Sequence, residues 1–172
     1  MANKVTINTD GLRMLQGNIR ALQRHVLTIG FQGPSGSQLY ASGVNAATVA
    51  LFNEFGTRHI PARSFLRSTM FEQRDRITAI MADAARAVIN SFDAFSPVRT
   101  VIDALGHAGH LIVVMVEAKI TRSHGWAKRN APSTVAKKGF DYPLIDTEVL
   151  VDSVSWAIRE YAAEGPIIVQ GN

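Results

Sequence analysis

His107 and His110 stand three residues apart in "LGHAGHL", a spacing that on a helix presents two imidazoles to one metal ion. Their neighbours are Gly106, Ala108 and Gly109, with no carboxylate trio at hand to complete a coordination sphere. His59 lies beside Arg58 without an acidic partner in sequence and widens a basic stretch. The pair Ser133-Thr134 follows Pro132 and lacks the strand-to-helix turn that exposes a nucleophilic hydroxyl. Asp141 and Asp146 have the types for an acid and a base, yet carboxylates beside Pro143 and Thr147 serve more often as turns and caps. The glycine-rich "GPSGSQ" lacks the lysine of a phosphate-cradling loop. With no cysteine in the chain, thiolate zinc sites, disulfides and cysteine nucleophiles are excluded. These residues converge on no catalytic constellation, metal site or cofactor site, so the expectation is a protein that is not an enzyme.

A different group of residues carries more information. In "LFNEFGTRHIPARSFLR", Leu51 to Arg67, an apolar helical run stops at Gly56, and a basic elbow follows. Pro61 lacks an amide hydrogen and biases Ile60 toward extended geometry, so 57–64 reads as extended chain. Phe65 and Leu66 read as apolar plugs, leaving Arg58, Arg63 and Arg67 to project or to pair. Charge is distributed unevenly: residues 58–139 hold thirteen Lys/Arg against six Asp/Glu, while 140–172 hold Arg159 against six acids. A basic middle and an acidic tail can pair within a chain or between copies. On that basis Asp141, Asp146, Glu148 and Asp152 are candidate partners of the elbow arginines, within one chain or between copies.

The elements that must position these groups follow from periodicity. The 172 residues are 47% hydrophobic and 19% charged, which is globular and enough for a single domain spanning 1–172. The longest aliphatic run, "LIVVMV" at 111–116, is short for a bilayer span, and no membrane association is expected. "KVTIN" alternates as a short strand, Asp10 can cap a helix bearing Leu12, Leu15, Ile19 and Leu22, and 26–31 alternates again. Gly/Ser-rich 33–43 predicts a mobile loop or hairpin. Asn45 caps Ala46 to Phe55. Ser68 or Thr69 caps a long helix striped by Ile77, Ile80, Met81, Ala84, Ala85, Val88, Ile89 and Phe92, whose core contacts should be Leu15, Ile19 and Leu22. Pro97 opens a second long helix, about 98–123. Residues 124–145 read as mostly irregular, with a helical turn at 133–138. Asp146 caps a turn or two over 147–152, and Val154-Trp156-Ile158 and 166–170 read as strands. The sum is α+β: a small mixed or antiparallel sheet packed by two long helices, with a loop or hairpin excursion.

Two segments together resemble the paired signatures of the head–tail joining, tail-completion (neck, minor tail protein Z-like) family of long-tailed bacteriophages. That family shows an "EFGT" helix end, then "IPARPFLR", and later a tryptophan, "ST…K" and "PLIDTG.L..S". Here the positions are Glu54 to Thr57 and Ile60 to Arg67, then Trp126, Ser133, Thr134, Lys137 or Lys138, Pro143 to Thr147, Leu150 and Ser153. Ser64 replaces the usual proline and returns an amide donor. Glu148 replaces the usual glycine, which makes a left-handed turn there less expected. The resemblance implies a structural virion protein made in the bacterial cytoplasm, self-assembling as a ring at the neck or head-proximal tail end. A hexamer is favoured, with a dodecamer as the alternative. Its partners would be the head connector or adaptor and the tail tube or terminator proteins, with weak non-specific DNA contact in the channel. In such a ring Arg58, Arg63 and Arg67 would meet the acidic residues 141–152 of an adjacent subunit; pairing within one chain, and arginines lining the DNA channel, are the alternatives. A tail terminator capping the tube is the neighbouring reading; a DNA-associated accessory protein is the reading from another class.

Overall fold

The computed structural model describes residues 9–91, 97–162 and 165–171, with only backbone described beyond Glu160. The expected strand at 4–8 and Phe92 lie outside the described residues. Helix α1 (Asp10–Arg24) leads into β1 (His25–Gly30). β1 pairs antiparallel with β2 (Ser155–Ala162), which pairs antiparallel with β3 (Gly165–Gly171), so the chain's later strands close a three-stranded sheet in the order β1-β2-β3. Between them lie α2 (Gly33–Gly36), α3 (Ala46–Phe55), α4 (Phe65–Glu72), α5 (Arg74–Ile89), α6 (Pro97–Thr121), α7 (Pro132–Lys138) and α8 (Val149–Asp152). The fold is thus α+β, as the periodicity implies.

The 25-residue α6 is the spine. Among the described residues it is the one helix long and apolar enough, by length and composition, to cross a membrane. Here its apolar residues are spent on the core, and Val101, Leu105, Ile112, Val113, Val116 and Ile120 are buried. One half packs with Ala21, Ala84, Val88 and Ile158, the other with Ala50, Phe65, Leu144, Leu150 and Val154, and Trp156 touches both groups. Gly106 and Gly109 admit that indole: a Cβ on Gly109 would meet Trp156 Cγ at 2.7 Å. The glycines of "GHAGH" therefore serve packing, and His107 and His110 fall on the exposed side of the helix. α6 and α1 lie on the sheet, whereas α5 packs mainly behind them on α6 and α1.

Several local expectations are revised. α1 is turned so that Asn18 and Ala21 face inward, and Leu12 and Ile19 are exposed. The cause is polar: Asn18 Nδ2 donates to Val88 O at 2.9 Å and Ser91 O at 3.1 Å, satisfying carbonyls at the end of α5. Ala84 and Val88 are buried in that seam and Ile80 and Met81 pack beside it, but Ile89 is exposed. The long helix after the elbow is two helices, broken at Gln73. Ser68 and Thr69 lie inside α4, where their hydroxyls donate back to Phe65 O. Of the loop and hairpin expected at 33–43, the structure has a helical turn followed by a tight hairpin-like reversal, with Leu39 bridged antiparallel to Asn45. Tyr40 N donates to Val44 O, Ala46 N donates to Gln38 O, and Ser153 Oγ donates to Gln38 Oε1. The helical turn at 133–138 and the cap by Asn45 stand where the sequence places them, and a left-handed Gly139 ends α7.

Glu148, not Asp146, is the cap residue of α8, and it is left-handed at φ 62°. The chain thus keeps the left-handed turn without the glycine that removes its strain. Glu148→Gly is expected to raise stability by about 0.5–1 kcal/mol, the relief of strain exceeding the entropy of glycine. A lowered melting temperature would show that the Glu148 side chain contributes more than its backbone costs.

Candidate functional site

The elbow is built from Glu54, a residue to which the sequence reading assigns no role. It ends α3 nearly buried, and its carboxylate lies at the start of α4, where four backbone N–H groups lack intrahelical partners. Leu66 N donates to Oε2 at 2.8 Å, Arg67 N to Oε1 at 3.0 Å, and Ser64 Oγ to Oε1 at 2.7 Å. Arg67 Nε adds a 2.9 Å ion pair, and its guanidinium lies 4.5 Å from the Phe55 ring centroid. Burial alone would raise this carboxyl, but the hydrogen bonds from Ser64, Arg67 and Leu66 outweigh it and hold it below its ordinary value. Ser64, where the family pattern has proline, supplies one of those bonds.

Since the folded carboxyl is held below its unfolded value, this stabilisation is complete above the ordinary value of 4.5. It is lost as pH falls from there through the folded value. Glu54→Gln is expected to lower stability at neutral pH by about 1.5–3 kcal/mol, since charged hydrogen bonds are lost. It should also flatten the fall in melting temperature below pH 4.5, the ordinary value of the group. An acid limb as steep as the parent's would place that pH dependence elsewhere.

Gly56 has φ 76° and ψ 171°, and Thr57 N donates to Ile60 O, so the chain reverses within four residues before Pro61. Arg63 then turns inward and is only 6% exposed. Its Nε donates to Lys128 O at 2.7 Å, Nη1 to Asn53 Oδ1 at 3.1 Å, and Nη2 to Arg129 O and Asn130 Oδ1, both at 3.2 Å. This one guanidinium fastens the elbow to α3 and to the chain entering α7. Phe65 is fully buried beside α6 with its ring edge-on to Phe31 at 5.9 Å, and Leu66 packs against the same core.

For Arg63 and Arg67 the expected projection is corrected. Arg63 turns inward and is hydrogen-bonded by carbonyl and amide oxygens, with Asp141 acting on its charge at longer range. Arg67 pairs with Glu54. Of the three elbow arginines, Arg58 alone is exposed with no ion pair among the described residues. Asp141 accepts from Asn130 N at 3.1 Å and lies 3.6 Å from an Arg129 nitrogen. Asp146, Glu148 and Asp152 are exposed, with no ion pair among the described residues. Among the described residues no three His, Asp or Glu side chains gather as metal ligands.

The elbow and the later segment face each other across a cleft of about 430 Å³. Tyr40, Phe52, Ile60, Asn130, Lys138 and Asp146 stand on its walls, with Arg63 at the junction. Lys138 Nζ donates to Tyr142 O at 2.8 Å and to Ile145 O, folding the 139–146 loop over it. Burial holds its ammonium below the ordinary value, against the pull of Asp146 and Asp141. Burial, with the nearby Asp146 charge, pushes the Tyr40 hydroxyl up to about 12, so it stays a proton donor. Tyr40, Asn53, Glu54 and Asn130 were invisible as site residues because their partners are distant in sequence or are main-chain oxygens. Only Glu54, an acid placed shortly before a helix start, carries a readable signal. No protein-family model, curated protein or solved structure matches the chain, so its function is argued from these residues alone.

Proposed function

We propose that the chain is a ring-forming structural subunit of a tailed-phage virion, joining the head connector to the tail at the neck. The observation that carries the reading is that the two signature segments fold into one unit. Glu54 and Arg67 fix the first, and Arg63 ties it to residues 128–130 of the second. Glu54, Arg63, Arg67 and Lys138 are thus used to hold shape, which suits an assembly part better than a catalyst. Beside the unit α3 exposes Leu51, Phe52 and Phe55, and α4 exposes Phe71 at 82%. Large apolar side chains exposed in this way suit contact with another subunit.

Size-exclusion chromatography with light scattering tests the reading, followed by a salt titration of DNA binding. A ring subunit gives a closed oligomer and weak DNA binding without sequence preference. A DNA-binding module instead gives a monomer or dimer with tight binding and a steep salt slope. Leu51→Glu with Phe71→Glu is expected to yield a monomer with an unchanged melting temperature. Rings that form normally in that variant would move the subunit contact elsewhere on the surface.

A further inference from the structure

We infer that a groove between α4, α5 and α6 receives helix α8 of a second copy of the chain, with Arg76 and Arg122 of the groove taking Glu148 and Asp152 of α8. The groove, of about 410 Å³, opens where the helical run breaks at Gln73. Leu111, Val114, Met115 and Ala118 line it from α6 at the i, i+3, i+4, i+7 spacing of one helix face, and Trp126 stands beside them. The indole is fixed by its N–H, which donates to Lys119 O at 2.9 Å. Val114 is 46% exposed, so the chain's own core does not cover this face of α6.

Charge selects the occupant. Four charged side chains line the groove, and two of them, Lys119 and Glu72, cancel in an ion pair of 2.7 Å. Arg76 and Arg122 remain, both exposed and neither in an ion pair among the described residues, so the groove is cationic over an apolar surface. The chain itself carries the complement. Glu148 and Asp152 bracket α8 one helical turn apart, both exposed and without an ion pair among the described residues, and Val149 and Val151 between them are half-buried. α8 does not serve its own groove, because its buried Leu150 fixes it on α3 and α6 outside the groove lining. The contact joins two different faces of the chain, and so it rests on the ring-forming reading above. It is continuous with the surface argued there, since α3 and α4, which expose Leu51 and Phe71, carry α8 and the groove respectively. A phosphate backbone would answer the arginines but leave Val114 against water, whereas α8 brings carboxylates and valines together.

Charge reversal read by light scattering tests the contact. Arg76→Glu with Arg122→Glu, and separately Glu148→Lys with Asp152→Lys, should each weaken self-association at least tenfold. An equimolar mixture of the two variants should assemble again, since each reversed groove then meets a reversed α8 and each native groove a native α8. All four side chains are exposed and make no ion pair among the described residues, so the variants should melt as the parent does. Assembly unchanged by either double reversal, or variants that stay apart when mixed, would overturn the inference and leave the ring reading standing. A parent that stays monomeric at high micromolar concentration would overturn both.

Discussion

Replacing Arg63 with methionine is expected to lower stability by about 3–5 kcal/mol, since hydrogen bonds from a charged donor are worth roughly 1.5–3 kcal/mol each and several are lost together. The methionine fills a similar volume but donates nothing, so Lys128 O, Arg129 O, Asn53 Oδ1 and Asn130 Oδ1 all lose a donor together. Arg63→Lys should recover only part of the loss, because one ammonium cannot span acceptors on two sides as the planar guanidinium does. Arg63→Glu should not fold, since it sets a carboxylate against four oxygens in a buried site. Urea titration checks the series, with the order parent, Lys, Met, Glu. A folded Arg63→Glu monomer with the parent's midpoint would return this residue to the surface and to contacts between subunits.

Gly56→Ala should cost about 3 kcal/mol. Its φ of 76° with ψ of 171° is a region that side-chain-bearing residues enter only under strain, worth roughly 1–3 kcal/mol. A Cβ there would also stand 2.8 Å from Ala62 N and 3.0 Å from Ile60 O, backbone atoms that cannot step aside without opening the elbow. Opening it would pull Arg63 off its carbonyls, so the two defects reinforce each other. The expected signature is a large fall in the thermal midpoint, with new protease cleavage near 57–64. A variant that melts within a degree of the parent would show that the elbow tolerates another backbone path.

Elements whose burial follows one periodicity were legible in the sequence: α3 between Asn45 and Gly56, α6 from Pro97, and the alternation through Val154, Trp156 and Ile158. Legibility failed where a polar contact overrides the apolar pattern. Asn18 rolls α1 away from its Leu12/Ile19 stripe to reach the carbonyls of α5, which no local pattern encodes. Glu148 keeps a left-handed turn that its residue type disfavours, because the chain must enter α8 to bury Leu150. At the site, the elbow and its rigidity were readable, but the partners of the arginines were not. Net charge suggested the acidic tail, whereas Arg63 uses neutral oxygens and Arg67 a glutamate within the same motif. Attraction between exposed charges is weak in water, and a buried guanidinium is held by the acceptors around it rather than by distant carboxylates.

The central claim is that this chain joins head to tail, and electron microscopy of particles assembled without it tests that most directly. The account predicts DNA-filled heads without tails beside complete free tails, and joining restored when the purified protein is added back. Intact, tailed particles in its absence, or tails of uncontrolled length, would contradict it.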